Sequence, residues 1–411
     1  MSTESAPDGR QAMATVSCPV CGKRVAAGAF CARCGAHLSP QRGDWAESLR
    51  IREYAAAPGE HVLRLSVVSS LFPRLPRRCV SAFGIGVTAL LAVLVVCALL
   101  RWQPPLIALC TVGLPLVLAT YLRLSDVYYD LPIRTLVVTA LLAVVLGVGW
   151  ALLTGPAIAH SYDVTLLSGM TGGRALWQRL AIPLGGAVLM LVPVVLARVS
   201  RPVIRESLDG FVIGSLGAIF LTAAATLTRL APQLATGVVA HDRPISSLLI
   251  EAGIQGLAVP LTAAAVGGMV GAALWFRRRA DAPQQHRWQR LPALLPESAV
   301  VLIVYAGWGM IDVARLPQGV HLGLYSVMTV FALIALRVVL QAALLREEDE
   351  PGSGAPLLCP NCDQLVPDMA FCSNCGIATN ASSRSSRTMR RLNGNGVFIR
   401  GQGPPGSFAG G

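Results

Sequence analysis

Charge is scarce in this chain. Only 14% of its 411 residues are Asp, Glu, Lys or Arg, against 54% hydrophobic. Soluble globular proteins carry about a quarter charged residues, so the composition points to membrane. Lysine is rarer still: of 34 basic residues, only Lys23 is a lysine. The formal net charge is +12, and 16 of the 33 arginines sit in turns between apolar runs. That placement reads as a topological signal and speaks against nucleic acid as a partner. The sequence lacks a glycine-rich phosphate loop, a G-x-S-x-G and an H-E-x-x-H, which removes the commonest hydrolase signatures. The N-terminus is polar, shows no signal-peptide pattern, and leads directly into a cysteine-rich segment.

Cysteine is the exception to this sparseness. Eight of the 11 cysteines form one motif used twice, C-x2-C-x9-C-x2-C. The first copy is Cys18, Cys21, Cys31 and Cys34; the second is Cys359, Cys362, Cys372 and Cys375. The lead-in to the third cysteine also repeats, Ala29-Phe30 against Ala370-Phe371. Each set supplies the four thiolates of a closed tetrahedral shell, so the expectation is two structural Zn2+ ions with no position open for a catalytic water. Gly22, Gly35 and Gly376 follow three of the knuckles and permit the turn, with Asp363 at the fourth. Modules this small have no core of their own, so the metal folds them. Free thiolates call for a reducing compartment. The other three cysteines, Cys79, Cys97 and Cys110, lie in or beside apolar segments and read as small hydrophobes.

Between the motifs the chain is apolar. A spanning helix needs about 20 such residues, and eight runs qualify, near 80–100, 105–122, 135–153, 181–197, 211–228, 255–276, 297–313 and 320–341. The seventh is short. Pro115 and Pro260 interrupt the second and sixth. The stretch Ile245 to Ile254 is apolar but too short to span, and reads as a re-entrant or interfacial helix. The resulting domain division is a disordered segment 1–16, ribbon 17–40, linker and juxtamembrane segment 41–78 with a short helix from Trp45 to Tyr54 and a basic juxtamembrane element from Leu63 to Arg78, transmembrane domain 79–345, linker 346–356, ribbon 357–377, and a disordered basic tail 378–411. An even number of spans puts both termini on one side. Turns assigned to that side hold ten arginines against six opposite, so the positive-inside rule makes both termini cytoplasmic.

Few ionisable residues lie near the apolar runs. Glu206 and Asp209 stand where the fifth run begins, a position that helix capping explains. Glu251 lies before the sixth run, close to the outer face, where an interfacial position accounts for it. His241-Asp242 reads as a solvated loop pair, and Arg337 as a snorkelling residue at the inner end of the last run.

Two segments, Glu206-Ser-Leu-Asp209-Gly-Phe-Val-Ile-Gly214-Ser-Leu-Gly217 and Pro260-Leu-Thr262-Ala-Ala-Ala-Val-Gly267-Gly268-Met-Val-Gly271, resemble motif helices of the PrsW-type glutamic intramembrane proteases. The likeness implies a helical membrane scaffold. The family's paired glutamates would fall between Ala181 and Ser200, where this chain has no acid, and its later glutamate and its histidine also have no counterpart. The implication is the scaffold without the activity, a pseudoprotease.

The sequence therefore predicts an all-α polytopic membrane protein of about eight transmembrane helices with two small cytoplasmic zinc ribbons, each of four cysteines. Its expected place is the cell membrane, multi-pass, in contact with lipid. Arginine in place of lysine, with abundant Ala, Gly and Val, points to a GC-rich bacterial genome and hence an inner membrane. The role expected is a non-catalytic adaptor whose ribbons dock a soluble or membrane protein partner, or each other. The rivals are a protease of unusual active site using Glu206, Asp209 or Glu251, and a transporter built on the broken second and sixth runs.

Overall fold

A computed structural model describes residues 15–39, 50–75, 77–167, 173–200, 206–234, 244–276, 291–313, 316–347 and 357–391. Each ribbon contributes one short antiparallel pair: β1 (Thr15–Ser17) with β2 (Arg24–Ala26), and β3 (Leu357–Leu358) with β4 (Leu365–Val366). Everything between is helical. A short α1 (Val67–Leu71) precedes α2 (Arg77–Leu99) and α3 (Gln103–Leu124). A single turn, α4 (Val127–Asp130), leads to α5 (Ile133–Leu167), α6 (Gly173–Ser200) and α7 (Ser207–Leu234). Then come α8 (Ile245–Glu251), a π-helical turn (Ala252–Ala258), α9 (Val259–Trp275), α10 (Leu291–Val313) and α11 (Gln318–Arg346).

Seven helical stretches among the described residues are long and apolar enough to cross a membrane. They match the first six and the eighth apolar runs. In the seventh, the apolar part is the shorter stretch Glu297–Ile311, within the 23 residues of α10. At 1.5 Å per residue, α10 as a whole is about 34 Å long.

The segment Ile245 to Ile254 is not re-entrant. It continues through the π turn into α9 as one helix, Ile245–Trp275. The π turn precedes Pro260, which has no N–H to donate and whose ring crowds the carbonyl four residues back. The hydroxyls of Thr262 and Thr329 both donate to the nearby Ala258 carbonyl, at 2.7 and 3.2 Å.

The bundle is built around α7 and α9, which carry the two segments Ser207–Gly217 and Pro260–Gly271. Gly210 and Gly214 face Gly267 and Gly271, each pair four residues apart and so on one helix face. A Cβ on Gly214 would lie 2.1 Å from the Gly267 carbonyl oxygen, and one on Gly271 2.1 Å from that of Gly210. The two backbones touch because small residues let them. Ser215 adds a hydrogen bond to the Ala264 carbonyl at 3.1 Å. Gly214→Leu is expected to prise the pair apart and cost about 3 kcal/mol or more, read as a lower yield of monodisperse protein in detergent.

The linker after the first ribbon packs on the end of α11. Arg337 does not snorkel: it is 1% exposed. Its guanidinium donates to the Val62 carbonyl (2.8 Å), to Ser69 Oγ (2.7 Å) and to Glu60 Oε2 (3.1 Å), and it lies 4.3 Å from the Tyr54 ring centroid. Ser70 Oγ and the His61 carbonyl, both at 3.2 Å, complete its partners. With its donors engaged in this way, a path to solvent is unnecessary. Gln341 accepts from Ala55 N at 2.7 Å and donates to the Glu53 carbonyl at 3.0 Å. Residues 50–54 form turns here instead of a helix, while 45–49 lie outside the described residues.

The start of the basic tail is ordered by the fold. Residues 379–381 form a 3-10 turn and residues 384–391 a helix, α12. Composition alone assigns this stretch to the disordered tail, and the structure corrects it. Residues 1–14 and 392–411 lie outside the described residues.

Candidate metal centre

In each ribbon the four sulfurs lie within 4.8 Å of one another, and the groups are those of the motif: Cys18, Cys21, Cys31 and Cys34, and Cys359, Cys362, Cys372 and Cys375. All eight thiols are free of disulfides. The separations repeat between the copies. Cys18–Cys34 and Cys359–Cys375 are both 3.6 Å, and Cys21–Cys31 and Cys362–Cys372 both 3.8 Å. A metal–sulfur bond of about 2.3 Å implies a tetrahedral edge of about 3.8 Å. The sulfurs are therefore spaced for a shared ion, and far apart for a disulfide at about 2.05 Å.

The backbone explains how so short a segment holds this geometry. At every knuckle the residue after the second cysteine donates its N–H to the carbonyl of the first: Gly22 to Cys18, Gly35 to Cys31, Asp363 to Cys359 and Gly376 to Cys372, at 2.8 to 3.0 Å. All four positions have a positive φ, between 53° and 73°. Glycine adopts that conformation freely and aspartate tolerates it, which is why Asp363 replaces glycine without altering the knuckle. Four cysteine ligands on one ion would leave no position open for a catalytic water.

The two ribbons pack on each other. Phe30 N donates to the Ser373 carbonyl and Phe371 N to the Ala32 carbonyl, both at 2.9 Å. Residues 30 and 32 correspond to 371 and 373 in the repeat, so the contact is an internal two-fold, the same patch meeting itself. Arg50 lies on that axis, 5.4 Å from the Phe30 ring and 5.7 Å from that of Phe371. Its guanidinium donates to the Gly376 carbonyl at 3.4 Å and to Glu53 at 3.2 Å. Burial pulls the Arg50 pKa down, with Glu53 opposing. A Cβ on Gly35 would fall 2.2 Å from Arg50, and one on Gly376 2.9 Å from it. With a divalent ion each four-thiolate shell would carry a net charge of about −2, and Arg50 would place one buried cation between them. Arg50→Ala is expected to loosen the pair while leaving both metals bound, seen as faster amide exchange at Phe30 and Phe371 with unchanged metal content.

Arg50 escapes a reading of the motif alone, because it stands outside both cysteine sets. The repeated Ala-Phe-Cys was the available signal: a large aromatic in a module with no core needs a partner. The basic side chains of the first ribbon, Lys23 and Arg24, point to solvent, and Arg33 is half-buried.

A second polar cluster lies at the ribbon end of the bundle. Arg74, fully buried, donates to Asp209 at 2.7 Å and to Glu206 at 2.8 Å. Burial opposes its charge, but Asp209 and then Glu206 outweigh it and hold its pKa above the ordinary value. Arg384 and Arg387 of α12 reach the same carboxylates. Next to them Glu347, just past α11, accepts from Ser207 N (2.6 Å) and Ser207 Oγ (2.8 Å). Burial pushes the Glu347 pKa up to about 7, against those hydrogen bonds. Glu206 and Asp209 thus do more than cap α7.

Glu251 is at the other end of the bundle, beside a small cleft with Gln103, Cys110, Gln233 and Gln255. Because Ile245–Trp275 is one helix, Glu251 is not carried toward Asp209. Cys97 and Cys110 are buried among leucines, as small hydrophobes are; Cys79 is half-buried. His241 and Asp242 lie outside the described residues.

No protein-family model, curated protein or solved structure matches this chain.

Proposed function

We propose that this is a multi-pass membrane protein whose two cytoplasmic ends are joined by a pair of structural zinc ribbons, and that the joined pair is a docking module for a protein partner. The observation that carries the reading is the two-fold contact between two closed four-sulfur sites. A closed shell does no hydrolysis, and a paired module presents one rigid surface. Zinc is favoured because all eight ligands are thiolates and ribbons of this size use it.

The membrane setting is supported by the exterior of the bundle. Ile85, Val145, Leu153, Val188 and Val199 are 63 to 75% exposed. So many exposed apolar side chains around long apolar helices suit lipid. Ribbons that touch each other require an even number of crossings between them, so in this reading α10 also crosses and brings the count to eight.

In this reading the helices form a PrsW-like scaffold with no hydrolytic role. Glu206 and Asp209 are engaged by arginines, and Glu251 lies at the opposite end. Helix α7, of 28 residues, is about 42 Å long, so these acids share no proton-transfer site.

Reporter fusions test the topology. Fusions after Arg50 and after Pro351 are expected to report the cytoplasm, and one at Gly172 the opposite side. Termini on opposite sides would overturn the reading. For the adaptor role, a protein retained by the full chain should be lost from Cys362→Ser.

A further inference from the structure

We propose that Glu206 and Asp209 form an intramolecular guanidinium-binding site, and that the metal of the C-terminal ribbon keeps this site filled by Arg384 and Arg387. The proposal rests on the metal reading of the ribbon.

The division of partners points to a receptor and a tethered ligand. Arg74, which belongs to the bundle, takes one oxygen of each acid: Asp209 Oδ1 at 2.7 Å and Glu206 Oε2 at 2.8 Å. The remaining two oxygens are taken by α12. Arg384 reaches Asp209 Oδ2 at 2.6 Å and Glu206 Oε1 at 3.3 Å, and Arg387 donates to Glu206 Oε1. Residues 384 and 387 are three apart and so share one face of α12. Three guanidiniums against two carboxylates leave the cluster at +1. Without α12 it becomes −1, with two desolvated carboxylate oxygens left without an ion-pair partner, an arrangement that binds a guanidinium strongly.

The other end of α12 is held by the ribbon. Arg391 pairs with Asp368 at 2.7 Å, and Arg390 approaches Asp363 at 3.9 Å. Asp363 follows the ligand Cys362, and Asp368 lies in the loop between the two knuckles, so the metal-folded ribbon sets the position of both. Asp130 fixes the start of the helix, accepting from Arg384 N (2.5 Å) and Ser385 N (2.9 Å). Only the residues from 376 to 383 separate the last ligand, Cys375, from Arg384. Helix α12 is therefore a brace between ribbon and bundle. Loss of the ribbon's metal removes its tether and its acidic anchors together.

The test is limited trypsin digestion of the full chain in detergent, with metal content measured in parallel. The wild-type chain should be protected at Arg384 and Arg387. In Cys375→Ser, which should lose one metal equivalent, cleavage at both is expected to rise about tenfold or more. The double variant Arg384→Gln/Arg387→Gln keeps Arg74 on its acids. It should retain two metals yet become cleavable at Arg390. A Cys375→Ser chain that has lost one metal but stays as protected as wild type overturns the proposal. So does a double variant, with two metals, in which Arg390 stays protected. A wild-type chain without metal sinks the metal reading itself, and the metal's part in the proposal with it, while the double variant still judges the carboxylate site.

Discussion

Replacing Arg74 by alanine is expected to destabilise the protein by about 3 kcal/mol or more, the range for breaking a buried charge pair by removing one partner. Arg74 is fully buried and joins the segment before α2 to the start of α7 through two ion pairs. Its loss leaves an oxygen of Glu206 and one of Asp209 desolvated, where only the α12 arginines remain to offset the charge. Arg74→Lys should recover part of the loss, since one ammonium cannot reproduce the fork that spans two acids. The measurement is the thermal unfolding midpoint in detergent. Equal midpoints for wild type and Arg74→Ala would mean that the cluster contributes no stability.

Removing a ligand from one ribbon should weaken the other. Cys21→Ser is expected to eliminate one metal equivalent and, with it, the fold of the N-terminal ribbon. The C-terminal ribbon then loses the hydrogen bonds between Phe371 N and Ala32 and between Phe30 N and Ser373, and the Phe30 ring beside Arg50. At about 1 kcal/mol net for each hydrogen bond, its metal affinity should fall about tenfold or more. Competition with a chromogenic chelator reads this directly. Cys79→Ser, outside both sites, should leave both affinities unchanged.

Much of this was legible in the sequence, for physical reasons that differ by element. The ribbons were visible because four ligands on two tight knuckles need a fixed spacing. The helices were visible because a long apolar run has few other folds open to it. The contact of α7 with α9 was half visible: Gly210/Gly214 and Gly267/Gly271 announce close packing, but nothing in the chain names the partner. The joints could not be read. Arg74 meets acids more than 130 residues away, and Arg50 meets a carbonyl 326 residues away. Such pairs leave no periodic mark. Helix α12 reads as disorder because Ser and Arg lack apolar surface to bury. Its arginines bury against carboxylates instead, a gain visible only once Glu206 and Asp209 are placed. Ile245 to Ile254 looks like a separate element because it is too short to span alone, and the π turn joins it to α9.

Zinc analysis of the purified full-length chain, combined with X-ray absorption at the zinc edge, tests the central claim most directly. The account predicts two zinc ions per chain, each with four sulfur neighbours at about 2.3 Å and no lighter ligand, falling to one in Cys21→Ser and to one in Cys362→Ser. Iron in place of zinc, oxygen or nitrogen in the first shell, or a metal-free chain with disulfides at these cysteines would contradict it.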